Sequence, residues 1–154
     1  LRLARVKKVA PRVQWGEIKH FPDAELLSAI VTHRYDVLTR YARSMRSVYG
    51  CELKKLRGRL PDLSGVSRRQ VRRWLNLDIK ALGEAERRKL MALLASSPQL
   101  RTVYQMRQEL TALWSRSTAT REQLVSQLRD WCQRAEQSGI EALSQFSLKL
   151  RSYA

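Results

Sequence analysis

Lys54, Lys55, Arg57, Arg59, Arg68, Arg69, Arg72 and Arg73 fall within twenty residues of one another, opposed only by Asp62. Cations packed this densely suit anionic oxygens, so the chemistry they imply is binding rather than bond breaking. Three readings fit them. In the first, Arg68, Arg69, Arg72 and Arg73 frame Val71 and Trp74 on a short helix that serves as the recognition helix of a helix-turn-helix. Its arginines would reach phosphates and base edges, although the loop before Ser67 is long for that motif. In the second, the cluster docks on anionic lipid, where each basic residue contributes about 1 kcal/mol near the surface. In the third it is a solvated face of a basic protein. A smaller basic group, Arg5, Lys7 and Lys8, stands near the start of the chain.

Other residue types offer less. His20 and His33 are thirteen positions apart, with no carboxylate or thiolate at ligand spacing, so a structural or surface role is expected and no metal site. Cys51 and Cys132 are too few for a metal cage or a disulfide framework and are expected on helices as small apolar residues. Asp36, Glu52, Asp78, Glu109, Asp130 and Glu136 lie among many Arg and Lys, which predicts exposed ion pairs on helix surfaces. The glycines are isolated, so no phosphate-cradling loop exists. No catalytic set emerges, and no cofactor is expected in this chain. Trp74, Trp114, Trp131, Tyr104 and Phe146 fall on apolar faces and are expected in the core.

The elements that would position these residues are helices. Six Gly and four Pro in 154 residues favour long helices over many short strands. Asp23 is a candidate cap for a long first helix running to about Leu56. Along it Leu27, Ile30, Val31, Leu38, Tyr41, Met45 and Val48 recur at three- and four-residue steps, with Arg34 as the one break. That unbroken face would serve a bundle or a homo-oligomer equally well. Gly58, Pro61 and Gly65 mark a loop over residues 57–66. Ser67 and Gln70 have capping-box spacing at the head of a short helix ending near Asn76, with Val71, Trp74 and Leu75 on one face. A third helix covers Glu84 to Ala95, with Leu90, Leu93 and Leu94 inward. Ser97-Pro98 opens a fourth, carrying Leu100, Val103, Tyr104, Arg107, Leu110, Leu113 and Trp114. Thr120 and Gln123 open a fifth with Leu124, Leu128, Trp131 and Ala135 inward. Gly139 suits a left-handed helix terminus before a sixth with Leu143, Phe146, Leu150 and Tyr153. The expectation is an all-α bundle, or helical hairpins, of five to six helices with a long first one. It occupies 23–154, after a basic lead-in over 1–22 that Pro11 interrupts.

Composition agrees. The hydrophobic fraction of 44% is enough for a real core, which excludes a disordered tail. Thirty Lys and Arg against 14 Asp and Glu leave a net charge of +16, which predicts an anionic partner: nucleic acid, lipid headgroups or an acidic protein. The longest stretch without a charge, Leu90 to Leu100, is eleven residues, and a membrane-spanning helix needs about twenty. No secretory signal pattern follows Leu1, and a start without Met is expected for a processed or excised piece.

Several stretches resemble a known family. Leu3-Ala4-Arg5-Val6-Lys7-Lys8-Val9-Ala10-Pro11 is similar to the segment just after the catalytic part of bacterial membrane fatty-acid desaturases. Ile30 to Leu38, Arg40 to Ala42, Thr118 to Leu124, Trp131-Cys132, Arg134 to Glu136, Ser138 to Ile140 and Leu150 to Ala154 resemble the helical C-terminal extension of the same proteins. The resemblance implies a non-catalytic C-terminal domain whose membrane and catalytic part precedes residue 1. The parent would desaturate acyl chains with O₂ and an iron centre. The implied partners are its own membrane domain or anionic lipid. The implied location is the cytoplasmic side of the inner membrane, or the cytoplasm if free-standing. Neither H-x-x-x-x-H nor H-x-x-H-H occurs, so no catalytic or iron-binding residue is carried over.

A second, weaker resemblance lies in another class. Gln108-Glu109-Leu110 to Leu113-Trp114, then Trp131, Ala135, Ser138-Gly139-Ile140, Phe146 and Leu150, are similar to the late helical part of insertion-sequence transposases. Those enzymes cut and join DNA with three carboxylates and divalent metal. The resemblance implies nucleic acid as partner and assigns no triad to this chain.

Overall fold

The computed structural model describes residues 23–56, 59, 65–115 and 119–153. The expected lead-in over 1–22 lies outside them. All regular structure among the described residues is helical: α1 (Asp23–Thr32), α2 (Arg34–Lys55), α3 (Arg68–Leu75), α4 (Glu84–Ser96), α5 (Pro98–Thr111), α6 (Arg121–Glu136) and α7 (Glu141–Arg151). Single 3₁₀ turns occupy Ile79–Ala81 and Ala112–Trp114. The all-α bundle is as expected, with one helix more.

The additional helix arises because the long first helix divides at His33, whose φ of −110° and ψ of 44° leave the helical region. A tertiary contact accompanies the break. Trp114 Nε1 donates to the carbonyls of Ile30 (3.1 Å) and Val31 (3.2 Å), groups that a helix end leaves without an intrahelical partner. The Arg34 guanidinium lies 5.9 Å from the centre of the same indole. The apolar face keeps its phase across the break, from Ile30 to Val37 two turns on. Val31 is 40% exposed and Arg34 is exposed, and α2 buries Val37, Tyr41, Met45, Tyr49 and Leu53 rather than Leu38 and Val48.

Most of the other boundaries follow local chemistry. Ser67 Oγ accepts from Gln70 N and Thr120 Oγ1 from Gln123 N, both at 3.1 Å. Each glutamine side chain returns a bond to the cap N–H, completing two capping boxes. Ser97 Oγ accepts from Leu100 N at the head of α5, and Pro98 takes the first helical position. Gly139, with φ +79°, supplies the left-handed residue between α6 and α7, two positions past the Gln137 cap.

The core is a set of aromatic joints between helices. Tyr41 of α2 is fully buried, donates to Val103 O of α5 at 2.6 Å, and meets Phe146 of α7 edge-on at 5.0 Å. Trp131 of α6 meets the same Phe146 at 5.9 Å and donates to Met106 O of α5 at 2.7 Å. Burial accordingly pushes the Tyr41 phenol well above its ordinary range. α2 packs on α5 and α7, α1 on α6, α4 on α5, and α3 on α4. The apolar face of α2 that sequence alone left available to a homo-oligomer is therefore covered from within the chain.

Candidate nucleic-acid interface

α3 is anchored from three sides. Its apolar positions Val71, Trp74 and Leu75 are buried. At its C-terminal end Tyr49 of α2 donates to Asn76 Oδ1 at 3.0 Å, and Tyr104 of α5 donates to Leu77 O at 2.9 Å. On the α4 side Trp74 Nε1 donates to Glu86 Oε2 at 3.2 Å. Arg107 of α5 is 8% exposed, and Tyr49, Tyr104, Tyr41 and Asp78 act on its charge. Burial lowers its pKa, while the tyrosines and Asp78 oppose the shift. These bonds mount α3 and its C-terminal cap on α2, α4 and α5.

The mount presents the arginines of α3 in two directions. Arg68 and Arg69 are exposed. Arg72 is half-buried and turns onto α2, its Nη2 3.5 Å from where a Cβ on Gly50 would stand. The Arg72 Nε is buried with no hydrogen-bond partner. Arg73 turns the other way, 3.7 Å from Glu86 Oε2.

The sequence cluster is thus partly divided. Lys54 is exposed and stands on the stripe of α2 that carries Gly50. Lys55 points away and donates to Glu52 Oε2 at 3.0 Å. Glu52 is itself buried and accepts from Ser97 Oγ at 2.8 Å. Burial alone would raise its pKa, but the bonds from Lys55 and Ser97 outweigh it and hold the carboxyl below its ordinary value. Arg59 is exposed in the turn after α2 and donates its N–H to Leu56 O. Arg57, Arg5, Lys7 and Lys8 lie outside the described residues.

Two residues that sequence reading passed over join the surface. Arg43 and Arg46 are exposed and share the Gly50 stripe with Lys54. Their signal was the 43, 46, 50, 54 spacing along the helix expected to run to about Leu56. Arg43, Arg46 and Lys54 from α2 and Arg68, Arg69 and Arg72 from α3 thus belong to two helices linked where the Arg72 side chain reaches Gly50. Glu52 of α2 and Glu86 of α4 are engaged by Lys55 and by Trp74 with Arg73. Such a surface can hold phosphates by charge-assisted bonds and offers no acid–base pair. Among the described residues no group of three or more His, Cys, Asp or Glu could hold a metal ion, and both cysteines are free. His33 is exposed and meets Tyr153 edge-on at 6.2 Å; His20 lies outside the described residues.

A family model described as Transposase (DDE_Tnp_ISL3) matches residues 18–154. The chain belongs to this transposase family. No curated protein and no solved structure matches it. The match covers every described residue of the transposase chain and includes the positions that carried the second resemblance. It also takes in the C-terminal stretches read as desaturase-like, leaving only Leu3 to Pro11 outside. Nothing among the comparisons relates the chain to a desaturase.

The inferred place on the cytoplasmic side of the inner membrane, as the tail of a membrane protein, is therefore corrected. It rested on the desaturase resemblance, which the transposase match replaces. Among the described residues no helix is long and apolar enough to cross a membrane. The physical reason for the misreading is that a basic lead-in and a +16 charge attract lipid headgroups and nucleic-acid phosphates alike.

Proposed function

We propose that this chain is a DNA-binding helical part of a transposase, and that it holds duplex DNA by its phosphates along the surface shared by α2 and α3. The observation that carries the reading is that Arg72 of α3 reaches Gly50 of α2, on whose stripe Arg43, Arg46 and Lys54 are exposed, with Arg68 and Arg69 exposed on α3. The transposase family supplies the reason for choosing DNA among anionic partners. The role assigned to these residues is backbone positioning, which fixes register without reading sequence.

Fluorescence anisotropy with a labelled duplex, followed across salt concentration, tests this. Six phosphate contacts predict a slope of about −5 in log K against log salt. Replacing Arg43, Arg46, Arg68 and Arg69 by Gln removes four contacts and brings the slope to about −2. A matched variant with Arg88, Lys89, Arg101 and Lys149 replaced by Gln carries the same net charge and keeps a slope near that of the parent chain. Equal weakening by both variants would show that net charge alone does the binding, and the assignment to α2 and α3 would fail.

A further inference from the structure

Tyr35 is 83% exposed, the most exposed large apolar side chain among the described residues. Val31, one turn before it across the His33 break, is 40% exposed. A single exposed tyrosine is ordinary in itself; its position beside a row of cations is what sets Tyr35 apart from the buried Tyr41 and Tyr49. Tyr35, Thr39, Arg43, Arg46, Gly50 and Lys54 recur at three- and four-residue steps, so they lie along one stripe of α2. The stripe runs for ~28 Å from Tyr35 to Lys54, at 1.5 Å per residue. That is the length of about eight stacked base pairs.

The stripe changes character along its length. Its far end, beside α3, is arginine and lysine. Its near end is an aromatic ring with Val31 beside it. The carboxylate of the adjacent Asp36 is taken by Arg40 (2.8 Å) and by the Tyr153 hydroxyl (2.6 Å). The other neighbouring cation, Arg34, lies over Trp114. Among the described residues Tyr35 thus makes no hydrogen bond or ring contact, and it stands at the end of a row of exposed basic side chains. A duplex has no base face to offer such a ring except at an end, where an unpaired base is free to stack.

We infer that the substrate of the α2 stripe is a DNA junction: duplex phosphates lie along Arg43, Arg46 and Lys54, and the first unpaired base beyond the duplex stacks on Tyr35. This rests on the phosphate-binding reading of α2 and α3 and adds the class of DNA end that is bound. The charge of the stripe argues for nucleic acid over an apolar protein segment as the occupant of Tyr35.

The test compares a blunt duplex with the same duplex bearing a three-nucleotide overhang, against the parent chain, Tyr35→Ala and Tyr35→Phe. Stacking of one base predicts roughly tenfold or tighter binding of the overhang by the parent chain. Tyr35→Ala should bind both DNAs with the affinity the parent shows for the blunt one, and Tyr35→Phe should retain the preference. Equal binding of both DNAs by the parent chain overturns the inference while leaving phosphate binding intact. So does a preference that survives Tyr35→Ala. Failure to bind either DNA overturns the phosphate-binding reading and this inference with it. Crosslinking of Tyr35 to a protein segment in place of DNA would assign the ring to a protein partner and also overturn it.

Discussion

Replacing Glu86 by Ala should weaken the fold and strengthen DNA binding at once. The carboxylate does three things. Oε2 accepts from Trp74 Nε1 at 3.2 Å, Oε1 accepts from Gly83 N at 3.2 Å at the head of α4, and Arg73 lies 3.7 Å from Oε2. Trp74 is 2% exposed, so its indole N–H loses its acceptor where water reaches it poorly. A buried donor left unmet costs about 1–3 kcal/mol, and the part-exposed Glu86 side chain places this case near the lower end. Loss of the N-terminal bond costs about 0.5–1 kcal/mol. The Arg73 pair is 60% and 37% exposed and contributes close to nothing. The sum is about 1.5–3 kcal/mol, or a fall of roughly 3–12 °C in Tm for a chain of this size. Urea denaturation should show a lower midpoint with an unchanged slope. Arg73, one turn from Arg69, is meanwhile released from its acid and becomes available to phosphate. DNA affinity measured well below the transition should rise severalfold, and adding Arg73→Gln should cancel the rise. An unchanged midpoint would refute the account of how α3 is anchored. An affinity that stays level or falls would refute the placement of α3 at the DNA.

Further outcomes can be checked with the same protein. Trp114→Phe keeps the ring and removes the donor to the Ile30 and Val31 carbonyls, and should cost about 1 kcal/mol by urea denaturation. Glu136→Gln strips the carboxylate that Arg151, 3% exposed, holds through two bonds at 2.7 and 2.9 Å. It should cost about 3 kcal/mol by the same measurement. Glu52 has a depressed pKa in the folded chain, so its contribution is present above the ordinary carboxylate range and is lost as pH falls through the folded value. An acid titration of stability should be less steep over that window in Glu52→Gln. Cys51 is exposed, whereas Cys132 is buried with its thiol pushed up to about 12 by burial. A thiol reagent should therefore label one cysteine quickly, and the second only on unfolding.

The helices were legible where local chemistry decides them. The Ser67 and Thr120 capping boxes and the Ser97-Pro98 restart fall where side-chain spacing places them, because each is closed by residues three positions apart. The break at His33 was not legible. It is met by an indole from residue 114, more than eighty positions away, and the one interruption of the apolar pattern beside it, Arg34, reads equally as a cation within a continuous helix. The basic surface was half legible for the same reason. Arg68, Arg69 and Arg72 stood out as a run, but which of Lys54 and Lys55 joins them depends on the buried partner of Glu52, which is Ser97. Arg43 and Arg46 belong to the surface through the path of α2, not through any local run. Of the residues that carried the transposase resemblance, Leu110, Leu113, Trp131, Ala135, Ile140, Phe146 and Leu150 are buried, whereas Glu109 and Gly139 are exposed. They record a fold, and they are silent on which surface meets DNA.

The most direct test of the account is the map of amide shifts in the isotope-labelled chain on adding an overhang-bearing duplex. The account predicts changes along Tyr35, Arg43, Arg46 and Lys54 of α2 and at Arg68, Arg69 and Arg72 of α3, with α6 and α7 quiet. Changes centred on Arg88 and Lys89 of α4, or on Arg129 and Lys149, would place the DNA elsewhere and contradict it.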